Sequence, residues 1–227
     1  MNSKATSPSP GNKAGSAAAA TAARRCRVCL PSILFLGFAV ALVAVVVRRL
    51  LALPLEAQLG VVPDDTFYYL GPALNVARGH GPTSDGITVT SGFHPLWEGL
   101  LILLAGLTGR APLALYEASL CLSGLLHALT AWLLFLVGRR HTSSILAFCW
   151  ASFYLVWRAP LAEALGGTEA ALLAFLLTLF AFTSGRAARG GRDGWWLGVL
   201  LGLLFLARTD SVFFVAGVAS PSGAATP

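Results

Sequence analysis

The chain has 227 residues, of which 56% are hydrophobic and 11% charged, and a formal net charge of +6. A soluble domain with a wetted surface rarely shows that balance, so the composition places the chain among integral membrane proteins. The bases are spread through positions flanking apolar segments and do not gather on one polar face, which excludes nucleic acid as a partner.

Residues 1–29 are expected to form a disordered, basic N-terminal tail, because the first 23 are rich in Ser, Pro, Gly and Ala and hold few large apolar side chains to offset the entropy of ordering. Seven bases and no acid precede Glu56. Arg24, Arg25 and Arg27 stand directly ahead of an apolar segment, as in a signal anchor, and place the N-terminus in the cytoplasm. Cys26 and Cys29 make a single C-x-x-C with no second pair to complete a zinc site, an arrangement better suited to juxtamembrane acylation.

A spanning helix needs roughly 20 apolar residues, since it rises about 1.5 Å per residue across a core of about 30 Å. Six segments are candidates: 30–47, 95–108, 113–137, 143–157, 168–183 and 195–219. The second and fourth are short, which leaves tilted, re-entrant or polar-extended forms open for them. The expected fold is therefore all-α: a polytopic membrane bundle of about six spanning or partly spanning helices over residues 30–219, followed by a flexible tail at 220–227.

Between the first two segments, residues 48–94 form the only sizeable polar connection and carry four of the ten acids, Glu56, Asp64, Asp65 and Asp85. With the N-terminus inside, this loop faces away from the cytoplasm and is expected to contain short interfacial helices. If all six segments cross, Arg139, Arg140, Arg186, Arg189 and Arg192 fall on the outer side, against the positive-inside tendency. If 95–108 only dips into the membrane, they move inside.

Asp64 and Asp65 follow Pro63 and precede Phe67-Tyr68-Tyr69. One acid suits a helix cap, accepting a backbone N–H. The second is a candidate base, a carboxylate at the mouth of a helix bundle able to take a proton from an acceptor hydroxyl. The aromatic run is expected to anchor at the headgroup level. Gly71-Pro72 is expected to break the following helix, with Pro72 restarting it in a first turn. His80, Asp85 and His94 are candidates for a metal or phosphate site, although their spacing matches no specific metal motif, and a divalent metal is left open. The glycines among them mark turns, and Pro95 suits a helix start. Glu117, His127, Glu169, Arg208 and Asp210 are ionisable groups inside apolar segments, with interhelical hydrogen bonding preferred for Glu117 and His127. Glu98 and Glu163 are expected nearer the interface. Arg208 and Asp210, two positions apart, point to different faces of a continuous helix, so a break is expected at 207–211.

Taken together, Asp64-Asp65-Thr66-Phe67-Tyr68-Tyr69-Leu70, Ala77-Arg78-Gly79-His80-Gly81, Asp85-Gly86 and Thr90-Ser91-Gly92-Phe93-His94-Pro95-Leu96-Trp97 resemble the first outer loop of GT-C class membrane glycosyltransferases. Gly167-Thr168-Glu169-Ala170 and Leu206-Ala207-Arg208-Thr209-Asp210 resemble later segments of that family. The resemblance implies a polyprenyl-phosphate sugar donor, an acceptor hydroxyl and an inverting displacement with Asp64 or Asp65 as catalytic base. Arg78 and His94, on proximity in sequence alone, are the candidates near the donor phosphate, and His80, Asp85 and Glu169 complete the expected substrate-binding set. Family members generally have further spans, so the chain is expected to be the front part of such a module. The alternatives are a noncatalytic helical membrane partner or lipid-binding subunit, and a small transporter, for which paired interrupted helices are lacking.

Overall fold

The computed structural model describes the backbone of residues 10–187 and 194–219 and the side chains of residues 30–185 and 195–218. The regular secondary structure of the described residues is helical, with one isolated antiparallel bridge between Thr83 and Val89 in the outer loop. In chain order the helices are α1 Pro10–Leu51, α2 Leu55–Leu59, α3 Asp65–Arg78, α4 Pro95–Leu107, α5 Pro112–His141, α6 Ser144–Val156, α7 Arg158–Leu165, α8 Ala170–Ala187, α9 Gly194–Ala207 and α10 Val212–Ala219. A 3-10 turn, Thr209–Ser211, separates the last two. The side chains of Cys26, Cys29 and Arg186, and the whole of Arg189, Arg192 and residues 220–227, lie outside the described residues.

Among the described residues two helices are long and apolar enough to cross a membrane, Leu30–Leu51 within α1 and Pro112–His141, and a third crossing is made if α6 and α7, bent by 53° at Trp157, count as one. The helices α4, α8 and α9 are apolar but shorter. At 13 residues, α4 reaches about 20 Å, less than a hydrocarbon core. Upstream of Leu30, α1 continues back to Pro10 through residues that composition had assigned to a tail. Its Ala17–Ala20 run has the strongest intrinsic helix preference of any residue type.

Helix α5 is the post around which the others pack, with α1, α6 and α8 against it. One core lies between α1, α5 and α6. Phe35, Ala39, Val43 and Val47, four apart on α1, are buried against a stripe that includes Ala128, Ala131 and Phe135. Small side chains let these backbones approach closely, which is how helices pack where no hydrophobic force separates them from lipid. Gly124 shows the limit: a Cβ there would sit 2.9 Å from Val43. The second core joins α3, α4, α5, α8 and α9 around Trp97, Leu101 and Leu204, all fully buried.

The contacts fix relative directions. Val43 and Val47 near the end of α1 meet Gly124 in the first half of α5, while Arg139 Nη1 donates to Ser32 Oγ at 2.9 Å and Trp132 Nε1 to the Ser32 carbonyl at 3.0 Å. Helices α1 and α5 are therefore antiparallel, with Arg139 beside the start of the apolar part of α1. Arg140 Nη1 donates to the Phe182 carbonyl at 3.0 Å, so α8 descends alongside α5, and α9 returns from that end.

Two local expectations hold and one fails. The break at 207–211 is present, with Arg208 extended at φ −158° between α9 and the 3-10 turn. Pro95 opens α4 behind an extended His94. Helix α3, in contrast, runs unbroken through Pro72. The residue before it is Gly71, whose missing Cβ removes much of the clash that normally drives that position out of the helical region. The Pro72 ring is itself fully buried, so packing offsets the lost hydrogen bond.

Candidate active site

At the end of the bundle remote from Ser32, the first turn of α3 faces the loop between α7 and α8. Thr66, fully buried, donates its hydroxyl to the Gly166 carbonyl and fastens the two segments together. Gly167 then turns the chain with φ +69°, and a Cβ at this position would lie 3.2 Å from both Ser119 Oγ and Thr66 Cγ2. Only glycine takes this conformation without strain. Gly167→Ala is expected to cost about 1–2 kcal/mol from the left-handed backbone alone. In a chain of this size that lowers the melting temperature by several degrees, about 2–4 °C per kcal/mol, readable by a thermal melt in detergent.

This turn delivers Glu169, which is the hub of the site. Tyr69 donates its hydroxyl to Glu169 Oε2 at 2.8 Å. His94 Nε2 stands 3.5 Å and Arg208 Nη1 3.8 Å from Oε1, and Arg208 Nε is 3.5 Å from Asp210 Oδ2. The Glu169 side chain is only 10% exposed, against 43% for Arg208. Burial, and then the hydrogen bond to the Glu169 carboxylate, push the Tyr69 hydroxyl well above its ordinary range, so it stays a donor. The Tyr69 and His94 rings stack with centroids 6.3 Å apart.

These groups line a cleft of about 590 Å³ whose walls also include Asp65, Tyr68, Glu163 and Thr168. Helix α3 supplies Asp65 and both tyrosines, the start of α4 supplies His94, the α7–α8 turn supplies Thr168 and Glu169, and the break after α9 supplies Arg208. One face thus carries the open carboxylate of Asp65, and the network around Glu169 presents an imidazole and a guanidinium.

The two adjacent acids separate by role. Asp64 is the N-cap of α3 and its Oδ1 accepts from the Asp65 N–H at 3.1 Å. Asp65 lines the cleft. Among the other residues singled out from sequence, His94 and Glu169 meet, while Arg78, His80 and Asp85 do not join them. Arg78 lies thirteen positions beyond Asp65 on one helix, about 20 Å away, and donates to the Arg110 carbonyl at 3.0 Å, holding the turn before α5. The backbone N–H of His80 bonds the Asn75 carbonyl, closing the C-terminal cap of α3 with Gly79 in the left-handed conformation. Asp85 Oδ1 accepts from the backbone N–H groups of Thr88 and Ile87 at 2.7 and 2.9 Å, which lowers its pKa and marks a turn-forming carboxylate. Among the described residues no group of three or more His, Cys, Asp or Glu side chains converges on a metal position.

Sequence reasoning missed Tyr69, taken for an interfacial anchor, and left Arg208 outside the site. Glu98 and Glu117 exchange their expected places. Glu117 faces outward, whereas Glu98 is buried with neither carboxylate oxygen hydrogen-bonded. Glu98→Gln is expected to raise the melting temperature at neutral pH, because it removes a buried group whose charged form has no compensating partner. A lowered melting temperature would mean that the carboxylate has a stabilising role. His127 is buried with Nε2 3.2 Å from the Leu155 carbonyl, the interhelical hydrogen bond expected for it.

No family model matches the chain, and neither a curated protein nor a solved structure matches it.

Proposed function

We propose that the chain carries a glycosyl-transfer site of the GT-C kind, in which a sugar passes from a polyprenyl-phosphate donor to an acceptor hydroxyl on the non-cytoplasmic face of a membrane. The observation that carries this reading is the cleft itself: Asp65 opens onto about 590 Å³ shared with His94 and Arg208, at the end of a bundle of apolar helices. Asp65 takes the proton of the acceptor hydroxyl as its oxygen attacks the anomeric carbon from the side opposite the leaving phosphate. Arg208 and His94 face the negative charge that develops on that phosphate. Glu169 and Tyr69 hold both groups in place. The lipid tail of the donor lies against the neighbouring helices, which places the reaction centre at the membrane surface.

Helix directions support the orientation. Ser119, beside Gly167, and Arg139 lie on one continuous helix twenty residues apart, about 30 Å, which is the thickness of a hydrocarbon core. Arg139 and Arg140 then return to the side on which α1 enters, as the positive-inside tendency asks, with α4 dipping into the membrane and not crossing it. The remaining apolar segments complete the polytopic bundle.

The test is reconstitution of the full chain with a labelled polyprenyl-phosphate sugar and a hydroxyl acceptor, following release of polyprenyl phosphate. Single cysteines at positions 64 and 65, labelled with an impermeant reagent on intact cells or sealed vesicles, report the face. Labelling from the cytosolic side would defeat the proposal.

A further inference from the structure

Helices α1 and α5 leave between them, on their exterior, a groove of about 310 Å³ that no part of the cleft shares. Val40, Ala44 and Val47 of α1 form one wall and Cys121 and Leu125 of α5 the other, and its lining is almost wholly apolar. Ala44, Cys121 and Leu125 are exposed, so the groove is open along its length. Its depth comes from Gly124, where the α5 backbone comes within contact of Val43 and Val47. Among the described residues these are the two helices long and apolar enough to cross a membrane unaided, so in a bilayer a groove on their exterior lies at the depth of the acyl chains. At one end stands Arg48, exposed, in the last turn of α1, while the neighbouring Arg49 does not line the groove.

We infer that this groove is a binding site for an anionic glycerophospholipid, one acyl chain lying between α1 and α5 and the phosphate on the Arg48 guanidinium. The ligand class follows from the combination of a long apolar trough and a single cation at its rim. A zwitterionic lipid would bring its own cation to the same place. The sugar-donor lipid is the less fitting occupant because its phosphate must reach Arg208 and His94 in the cleft, and the groove has no lining residue in common with the cleft. The inference therefore stands independently of the proposed reaction.

Native mass spectrometry of the full chain, with phosphatidylglycerol and phosphatidylcholine of matched acyl chains added in competition, tests it. The wild type is expected to retain phosphatidylglycerol about fivefold more strongly, the weight of one basic side chain near an anionic headgroup. Arg48→Gln is expected to abolish that preference, Arg48→Lys to keep most of it, and Arg49→Gln to leave it unchanged. Ala44→Phe, on the exposed wall, fills the trough and lowers retention of both lipids. The melting temperature of each variant without lipid confirms that it is folded. Equal retention of the two lipids by the wild type, or equal losses in Arg48→Gln and Arg49→Gln, would overturn the assignment. So would displacement of phosphatidylglycerol by polyprenyl phosphate, which would make the groove a donor site.

Discussion

Under the proposed function, Asp65→Asn is expected to lower the rate of sugar transfer by about 10²–10⁴-fold, the usual weight of a positioned general base, without changing membrane insertion or melting temperature. The side chain lines the cleft and is exposed. Its amide replacement keeps the shape but cannot take a proton from the acceptor. Asp64→Asn is the matched control. An amide oxygen at the cap still accepts the Asp65 N–H, and Asn and Asp rank together as N-cap residues, so helix α3 and activity should both persist. Full activity in both variants would remove the carboxylate from the mechanism. Loss in Asp64→Asn alone would move the chemistry from Asp65 to Asp64.

Glu169→Ala is expected to be the most destabilising single change in the site. It leaves a buried tyrosine hydroxyl without its acceptor and two basic groups without their shared carboxylate. Breaking a fully buried pair costs about 3–5 kcal/mol; because Arg208 is partly exposed and water replaces some of the loss, about 2–3 kcal/mol is expected here. That corresponds to a fall of about 5–10 °C in melting temperature. Glu169→Gln retains an oxygen for Tyr69 but loses the charge, and should fall between the two. Identical melting curves for the three proteins would show that the carboxylate does not hold the site together. The proposed transfer activity should be lost in both variants, because His94 and Arg208 lose the group that aims them.

Much of the helical architecture was legible because it rests on local signals. Proline after an extended His94 started α4, and the incompatible directions of Arg208 and Asp210 exposed the break after α9. Pairings between distant segments were not legible in the same way. Arg78, His80 and Asp85 were grouped with the acids because they are close in sequence, but a helix carries Arg78 away from Asp65 and turn chemistry occupies the other two. Tyr69 was hidden inside an aromatic run that suited the interface. A helical period would have separated it: Thr66, Tyr69, Leu70 and Ala73 share the buried face, while Phe67 and Tyr68 are exposed. The meeting of His94 with Glu169 is a tertiary fact that no spacing rule supplies.

The cleft draws its walls from residues 63–94 and again from 163–208, with α4, α5 and α6 lying between in the chain. During synthesis, both acids and His94 emerge well before the turn bearing Glu169 has been made. Until α8 is inserted Tyr69 has no acceptor, and until the segment after α9 follows no guanidinium reaches the cavity. The order of translation thus separates the two halves of the cleft in time: the acids and His94 are made first, and the opposing wall is complete only when the later helices have followed.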